Sequence, residues 1–224
     1  MIPAPPDKRR VGVLGGTFDP IHHGHLASAR AVATAFSLER VLLVLSARPP
    51  HRSGRASASI EARAVMLDLA TAGDPVLVAS RIEVDRAGPS YTYDTMVSLS
   101  RAQPDTELHL IIGMDAFAEI TSWHRSAEIL ERVNMIVTSR PGYADVEDVA
   151  GCVAALGGPC YDSGIGCYVH SSGHVLVLHE IDTPDISASS IRHRALEGDG
   201  PGRLAGLVPE KVGRFIDDNS LYQS

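Results

Sequence analysis

The 224-residue chain lacks any apolar run long enough to cross a membrane, since its longest runs, residues 41–45 and 175–178, have the length of strands. Residues 1–10 carry charges but no apolar segment, so they do not have the pattern of a secretion signal. We therefore expect a cytoplasmic protein without membrane contact. We also expect residues 1–10 to form a disordered N-terminal arm.

Cysteine is scarce, with only Cys152, Cys160 and Cys167 in the chain. An odd number of cysteines without a secretion signal indicates reduced thiols. A Cys₃His zinc site with His170 or His174 is the alternative. However, no C-x-x-C pair is present and the spacings match no known ligand pattern, so we expect no protein-bound metal site of this kind.

An excess of basic residues is also missing. The chain has 20 Lys and Arg against 27 Asp and Glu, for a formal net charge of −7. A nucleic-acid-binding protein needs a basic surface, so we expect no nucleic-acid partner. The composition, 44% hydrophobic and 21% charged, is typical of a globular protein, and the length suits one sizeable domain.

Apolar runs and helical patterns alternate along the chain, which predicts an α/β fold with a Rossmann-like, doubly wound parallel sheet and helices on both faces. We expect a single domain over residues 11–224, in which the glycine-rich stretch 142–174 is an irregular excursion. The predicted strands are 11–15, 41–45, 76–79, 108–113, 133–138 and 175–179. The predicted helices are 23–36, 59–72, 92–102, 126–131, 187–197 and 209–217.

The most informative segment is residues 15–26, where a strand ends at a pair of glycines and a helix begins among histidines. Gly15, Gly16 and Gly24 would allow the backbone to approach an anion, and the free N–H groups of a helix N-terminus would point at it. His22 and His25 are three residues apart, so both can face the same phosphates. The G-x-G-x-x-G dinucleotide fingerprint is absent.

A second strand end carries Gly113 and Asp115, just before a predicted helix. Asp115 can cap that helix, orient a ribose or bind Mg²⁺, and its position alone does not distinguish these roles. Trp123, the only tryptophan, lies in a polar setting. It is either a core residue or a platform that stacks on an aromatic ring.

Hydroxyl-rich helix starts follow at Ser90 and Thr92 and again at Ser187 and Ser189. Each is either an ordinary helix cap or a set of donors for an anion. Arg192 adds a guanidinium to the second of them. A proline-stiffened basic turn at 48–52 is either plain surface or a clamp for a further phosphate.

Taken in order, these segments resemble bacterial nicotinate-nucleotide adenylyltransferases, members of the nucleotidyltransferase superfamily with its (H/T)-x-G-H motif. The family pattern G-G-T-F-D-P-x-H-x-G-H is matched by residues 15–25, and its later motifs by 49–52, 90–95, 111–115 with Trp123, 186–192 and 221–222. Three departures are Arg52 where lysine is commoner, Leu45 for proline, and Ser187-Ala188-Ser189 for Ser-Ser-Thr.

The resemblance implies transfer of the adenylyl group of ATP to nicotinate mononucleotide, with Mg²⁺, in NAD biosynthesis. It assigns catalytic roles to His22, His25 and Arg192. It assigns acceptor binding to Arg52, Thr92, Tyr93 and Trp123. Of these, Thr92 and Tyr93 would bind through their backbone. The implied ATP-binding residues are Gly15, Gly16, Thr17, Phe18, Gly24, Gly113, Asp115, Ser187 and Ser189.

Three rival functions stay open. The acceptor can be nicotinamide mononucleotide or phosphopantetheine, and a protein of another class, a non-catalytic nucleotide sensor, would keep the same fold. The departure at 187–189 leaves open which serine meets phosphate. The sequence does not distinguish a monomer from a homo-oligomer.

Overall fold

The computed structural model describes residues 8–48, 57–139, 149–197 and 202–223, and its strands and helices alternate. The strands are β1 (Arg9–Gly16), β2 (Arg40–Leu45), β3 (Leu77–Ser80), β4 (Thr106–Gly113), β5 (Asn134–Ser139), β6 (Cys160–Asp162), β7 (Cys167–Val169) and β8 (Val175–Glu180). The helices are α1 (His23–Ala35), α2 (Ile60–Thr71), α3 (Thr92–Ala102), α4 (Met114–Ala118), α5 (Val149–Ala154), α6 (Ala188–Glu197) and α7 (Glu210–Asp218). Short 3-10 helices span Ile120–Ser122 and Ser126–Glu128.

These strands form one sheet in the order β3-β2-β1-β4-β5-β8-β7-β6. The first six in that order run parallel, and β7 and β6 are antiparallel additions at one edge. The order 3-2-1-4-5 is that of a doubly wound Rossmann-like sheet, in which the strand order reverses between β1 and β4. The predicted fold class is therefore confirmed, with a mostly parallel rather than wholly parallel sheet.

Both faces of the sheet are buried because successive strand residues point to opposite faces. In β2, Leu43 and Leu45 pack with α1, α2, α6 and α7, whereas Leu42 and Val44 pack with α3 and α4. This explains why the strand sequence is a continuous apolar run instead of an alternating one.

Ser59 caps α2 by accepting a hydrogen bond from the Ala62 N–H at 3.1 Å.

The stretch 142–174 is more regular than we predicted from its glycines. In its described part, from residue 149 onward, α5 is followed by the β6–β7 hairpin, which joins the sheet through β8. These strands have three residues each, too short for a periodic pattern to reveal them. The buried thiol of Cys152 lies against the Ala118 carbonyl at 3.8 Å, so α5 packs under the segment after β4.

Two further predictions were wrong in detail. The helix predicted over 126–131 is reduced to the 3-10 turn Ser126–Glu128. The strand β1 begins at Arg9, so Arg9 and Arg10 belong to the sheet and not to an N-terminal arm. Arg10 is held there by an ion pair with Glu107 at 3.0 Å.

Within the described residues, no helix has the length and apolar character needed to cross a membrane.

Candidate active site

A cavity of about 410 Å³ opens where β1 and β4 end side by side. Ligands of open α/β sheets bind at the carboxyl ends of strands, at the point where the strand order reverses. The cavity joins residues that the sequence assigned to two substrates. Its lining includes Gly15, Gly16, Thr17, Gly113 and Asp115 from the ATP group, and Thr92 and Trp123 from the acceptor group.

The two glycines at the end of β1 have different reasons to be glycine. A Cβ on Gly15 would meet no atom within 4 Å, so this backbone is open to a ligand. A Cβ on Gly16 would lie 2.7 Å from the Phe18 ring, so Gly16 makes room for that ring. Phe18 is 2% exposed and packs in the core, with its backbone at a φ of 46°. Its side chain therefore supports the site from the core, and the predicted contact of Phe18 with ATP, which its backbone could make, stays a prediction.

The two motif histidines lie together, as predicted, although only one of them is helical. His22 is the N-cap of α1, and its Nδ1 accepts a hydrogen bond from the His25 N–H at 3.3 Å. In the neutral ring this leaves the proton on Nε2. The rings stack with their centroids 3.6 Å apart, and Phe18 packs edge-on against His25 at 5.1 Å. The pair is thus held rigidly at a helix N-terminus.

Gly24 permits the close packing of this pair against α6. A Cβ there would lie 3.0 Å from His22 Nδ1 and 3.4 Å from the Ile186 carbonyl oxygen. Gly24 is itself buried. Packing is therefore one reason for a glycine at this position, and the predicted contact of Gly24 with ATP stays a prediction.

The start of α6 lies beside the start of α1. Ser187 acts as its cap, since the Ser187 Oγ accepts a hydrogen bond from the Ser190 N–H at 3.1 Å. The Ser189 Oγ lies 3.1 Å from the Ser187 Oγ, and both serines are exposed. Arg192 donates from Nη1 to the Asp19 carbonyl oxygen at 2.8 Å. This bond directs the guanidinium toward the segment that carries the histidines.

The opposite wall of the cavity is formed by the N-terminus of α3 and by Trp123. The first N–H groups of a helix have no intrahelical acceptor, and in α3 these belong to Thr92 and Tyr93. The N-cap residue, Tyr91, makes no side-chain capping bond to them. The Tyr93 side chain is 4% exposed, which agrees with a role for its backbone alone. Trp123 is half-buried at the cavity wall.

Ser90 is not the N-cap of α3, although it lines the cavity. Its Oγ accepts hydrogen bonds from the N–H groups of Ala47 and Arg48 at 3.1 and 3.0 Å. It thereby ties α3 to the segment that leads into the basic turn. Arg52 itself, the predicted acceptor contact in that turn, lies outside the described residues.

At the end of β4, Gly113 is the N-cap of α4 and Asp115 is the second residue of the helix. Asp115 is therefore not the capping residue, which removes one of its three possible roles. The Asp115 carboxylate lies over Gly113, where a Cβ would be 2.5 Å from Oδ1. A side chain at position 113 would displace this carboxylate from the cavity.

Two buried polar groups were missed from the sequence. Arg63 is 2% exposed, and its Nη1 donates to the carbonyl oxygens of Thr17 and Ser46 at 2.7 and 2.9 Å, which ties β1 to β2 at the cavity. Glu83 is 7% exposed and accepts a hydrogen bond from the Thr95 Oγ1 at 2.7 Å. For Arg63 a signal was available, because a charge on the apolar face of α2, one turn from Ile60 and Leu67, needs buried partners.

The described cysteines are free thiols, with Cys160 exposed and Cys167 buried. Burial raises the pKa of the Cys167 thiol, and the nearby Asp162 carboxylate adds to this effect. Within the described residues, no group of three or more His, Cys, Asp or Glu side chains is arranged to hold a metal ion.

Comparison with known proteins agrees with this arrangement. A family model described as cytidylyltransferase-like matches residues 13–194. A protein of Saccharopolyspora erythraea named probable nicotinate-nucleotide adenylyltransferase is 46% identical over 216 residues, covering 96% of this chain and 91% of the relative. A Geobacter metallireducens protein of the same name is 37% identical over 215 residues, covering 95% of this chain and 98% of the relative.

The fold is similar to that of a solved structure described as Plasmodium falciparum nicotinic acid mononucleotide adenylyltransferase complexed with NaAD. The TM-score is 0.70 at 15% identity, and the match covers 96% of this chain and 97% of that chain. At this identity the likeness supports the fold. The activity is supported by the sequence relatives, which match along nearly the whole chain.

Proposed function

Because the chain belongs to the nicotinate-nucleotide adenylyltransferase family, within the cytidylyltransferase-like proteins, we propose that it transfers the adenylyl group of ATP to nicotinate mononucleotide. The products are nicotinate adenine dinucleotide, an intermediate in NAD biosynthesis, and pyrophosphate. The observation that carries the proposal is the stacked His22–His25 pair at the N-terminus of α1, a few residues after Gly16 and Thr17, which line the cavity where β1 and β4 end. Such a site suits the charge of a triphosphate.

The reaction needs little covalent chemistry from the protein. An oxygen of the acceptor phosphate attacks the α-phosphorus of ATP and forms a new P–O bond. The bond from that phosphorus to the oxygen bridging to the β-phosphate breaks, and its electron pair leaves with pyrophosphate. A phosphate monoester has its second pKa near about 6, so the acceptor is largely a dianion at neutral pH and needs no general base. Catalysis then rests on positioning and on charge stabilisation.

We assign charge stabilisation to His22, His25 and Arg192. His22 Nε2–H and the His25 ring would contact the phosphates of ATP, and Arg192 would hold the departing end. The Ser187 Oγ accepts the capping bond of α6 and keeps its O–H as a donor, so Ser187 and Ser189 are both candidates for a phosphate contact. The open backbone at Gly15 would lie next to the nucleotide.

A divalent cation, for which we propose Mg²⁺, would neutralise charge on the pyrophosphate as it leaves. The carboxylate of Asp115 lines the cavity and is a hard oxygen ligand of the kind that Mg²⁺ prefers. The carboxylate of Asp19 does not suit this role because three hydrogen-bond donors already occupy its oxygens. A ribose hydroxyl is the alternative partner of Asp115.

For the acceptor, we propose that the N–H groups of Thr92 and Tyr93 receive the nicotinate carboxylate and that Trp123 stacks on the pyridine ring. Helix N-termini favour an anion, and charge-assisted bonds are roughly twice as strong as neutral ones. Arg52 would contact the acceptor phosphate. Cytoplasmic location, like the choice between monomer and homo-oligomer, stays a prediction to be measured.

The test is a coupled pyrophosphate-release assay at saturating ATP and Mg²⁺, with three acceptors in parallel. We expect kcat/KM for nicotinate mononucleotide to exceed that for nicotinamide mononucleotide at least about tenfold. An amide would leave one buried donor unpaired at about 1–3 kcal/mol. Trp123→Ala should weaken both mononucleotides equally, because stacking does not depend on the ring substituent.

Other outcomes identify the rival functions. Equal kcat/KM values for the two mononucleotides would reject the proposed carboxylate site while retaining adenylyl transfer. Pyrophosphate release only with phosphopantetheine would place the chain's activity in a different branch of the superfamily. ATP binding without release from any acceptor would indicate a nucleotide sensor.

A further inference from the structure

Asp19 connects three distant parts of the chain at the candidate active site. It is 5% exposed, and its carboxylate accepts hydrogen bonds from the N–H groups of Ser57 and Ala58 at 2.6 and 3.0 Å. A third bond comes from the hydroxyl of Tyr222 at 2.8 Å. The backbone carbonyl of the same residue accepts the bond from Arg192 at 2.8 Å. Asp19 therefore lies between the C-terminal segment and a proposed phosphate-binding arginine.

Tyr222 is placed for this contact by the end of the chain. The segment after α7 turns back, with the Leu221 N–H donating to the Ile216 carbonyl at 3.0 Å and with Tyr222 in the left-handed region at a φ of 64°. Both Leu221 and Tyr222 pack against the core beneath α1 and α2. Burial raises the pKa of the Tyr222 phenol, and the adjacent Asp19 carboxylate raises it further, so the hydroxyl remains a donor at neutral pH.

The geometry around Asp19 explains why this donor would matter for Arg192. Asp19 Oδ2 is 4.0 Å from Arg192 Nη1, beyond hydrogen-bond distance, so the carboxylate is close to the guanidinium but directed at other partners. When a buried carboxylate loses a hydrogen-bond donor, a new bond to another donor or cation lowers its free energy, because an unpaired buried charge is costly. Arg192, whose Nη1 is already 4.0 Å from the carboxylate, is a cation in position to respond, and it would then turn toward Asp19.

We propose that Tyr222 is a positioning residue for ATP: its hydrogen bond keeps the Asp19 carboxylate engaged and so leaves the Arg192 guanidinium available to the phosphates. This inference rests on the proposed function, in that it takes Arg192 as a contact for the triphosphate. Under this proposal, a residue of the C-terminal segment sets the orientation of an arginine that lies 30 residues earlier in the sequence.

The experiment compares Tyr222→Phe with Tyr161→Phe in the full chain. Tyr161 lies on β6, is 60% exposed and serves as the matched control for loss of a phenol hydroxyl. Tyr222→Phe should raise KM for ATP about fivefold, the effect of one hydrogen bond, and leave KM for the acceptor within about twofold. The Tyr161 variant should match the wild type in both constants.

A double-mutant cycle tests whether the effect passes through Arg192. In an Arg192→Ala background, Tyr222→Phe should change KM for ATP by less than about twofold. A fivefold change that persists in this background would overturn the proposal, as would an equal rise in KM for both substrates, since either result points to a general structural role. An unchanged KM for ATP in the single variant would overturn it as well.

Calorimetric titration with a non-hydrolysable ATP analogue separates this inference from the proposed function, because it needs neither acceptor nor turnover. If the wild-type chain binds the analogue but uses another acceptor, the proposed function fails while the Tyr222 effect on ATP affinity is still measured. Asp19→Asn provides a second background for the same titration. Because a neutral amide cannot capture Arg192, adding Tyr222→Phe to Asp19→Asn should change ATP affinity by less than about twofold, and a further fivefold loss would count against the mechanism.

Discussion

At the scale of single residues, the site depends on side chains held by their neighbours before any substrate arrives. His22 and His25 are stacked on each other, and Phe18 supports His25 from the side. Preorganised donors of this kind cost no reorganisation during the reaction, and they stabilise charge most effectively in a site that excludes water. Their contribution should therefore appear in the rate of the chemical step more than in substrate binding.

His25→Ala should lower kcat by about 10²–10³-fold and leave KM for ATP nearly unchanged, since one preorganised donor to the transition state is lost. Steady-state kinetics with varied ATP measure both constants. His23→Ala is the matched control, because His23 lies between the two stacked histidines in sequence but is not a member of the stacked pair, and its backbone N–H, which bonds to the Leu207 carbonyl, is retained. A kcat within about threefold of wild type for the His25 variant would remove this residue from the mechanism.

At the scale of secondary-structure elements, the excursion after β5 is tied to the domain at a few close contacts. Gly157, which follows α5, has a φ of 84°, and a Cβ there would lie 2.9 Å from the His170 Nε2 and 3.2 Å from the Ala127 carbonyl. Gly158 also has a positive φ, 66°, but a Cβ on it would meet nothing within 4 Å. An alanine at position 158 would therefore introduce backbone strain alone, whereas an alanine at position 157 would introduce both backbone strain and a steric clash.

Gly158→Ala should cost about 1 kcal/mol of unfolding free energy, because the left-handed conformation disfavours a side chain. Gly157→Ala should cost about 1–3 kcal/mol more, since its Cβ would also displace a backbone carbonyl. Urea unfolding at equilibrium measures both. Equal losses for the two variants would show that the excursion moves freely enough to accommodate the added methyl group.

At the scale of the whole molecule, a polar cluster lies where the central strands of the sheet begin, at the opposite end of these strands from the site. The Glu107 carboxylate accepts hydrogen bonds from Arg10 and Asn134 at 3.0 and 2.9 Å, and His109 Nε2 lies 3.5 Å from it. Burial acts to raise the pKa of Glu107, but the His109, Asn134 and Arg10 partners outweigh it and lower the pKa to about 2. The cluster joins β1, β4 and β5 where these strands begin.

This pKa shift makes folding stability depend on pH. The Glu107 pKa is lower in the folded chain than its ordinary value of 4.5, so its stabilising contribution is complete above about pH 5 and is lost as the pH falls toward about 2. Glu107→Gln should reduce stability at pH 7 and flatten the dependence between pH 5 and 2. Unfolding free energies of both proteins across this range provide the measurement, and parallel curves would exclude a role for Glu107.

Much of the fold and the general location of the site follow from local sequence patterns. Continuous apolar strands such as β2 and amphipathic helices such as α1 predict a doubly wound sheet, because both periods are read directly from neighbouring residues. The glycine–histidine segment similarly predicts a phosphate site, since its strand, turn and helix start are contiguous in the sequence. The hairpin β6–β7 could not be predicted, because three-residue strands carry no period.

Only the tertiary structure decided which residues support that site and how. It showed that Phe18 and Gly24 serve packing and that Ser187 caps a helix. It also placed Tyr222 against Asp19, across 203 positions of sequence. Such contacts depend on where chain folding brings distant side chains, and on the need of buried polar groups for partners. Local spacing in the sequence determines elements and motifs, whereas these long-range partners are fixed only by the packed molecule.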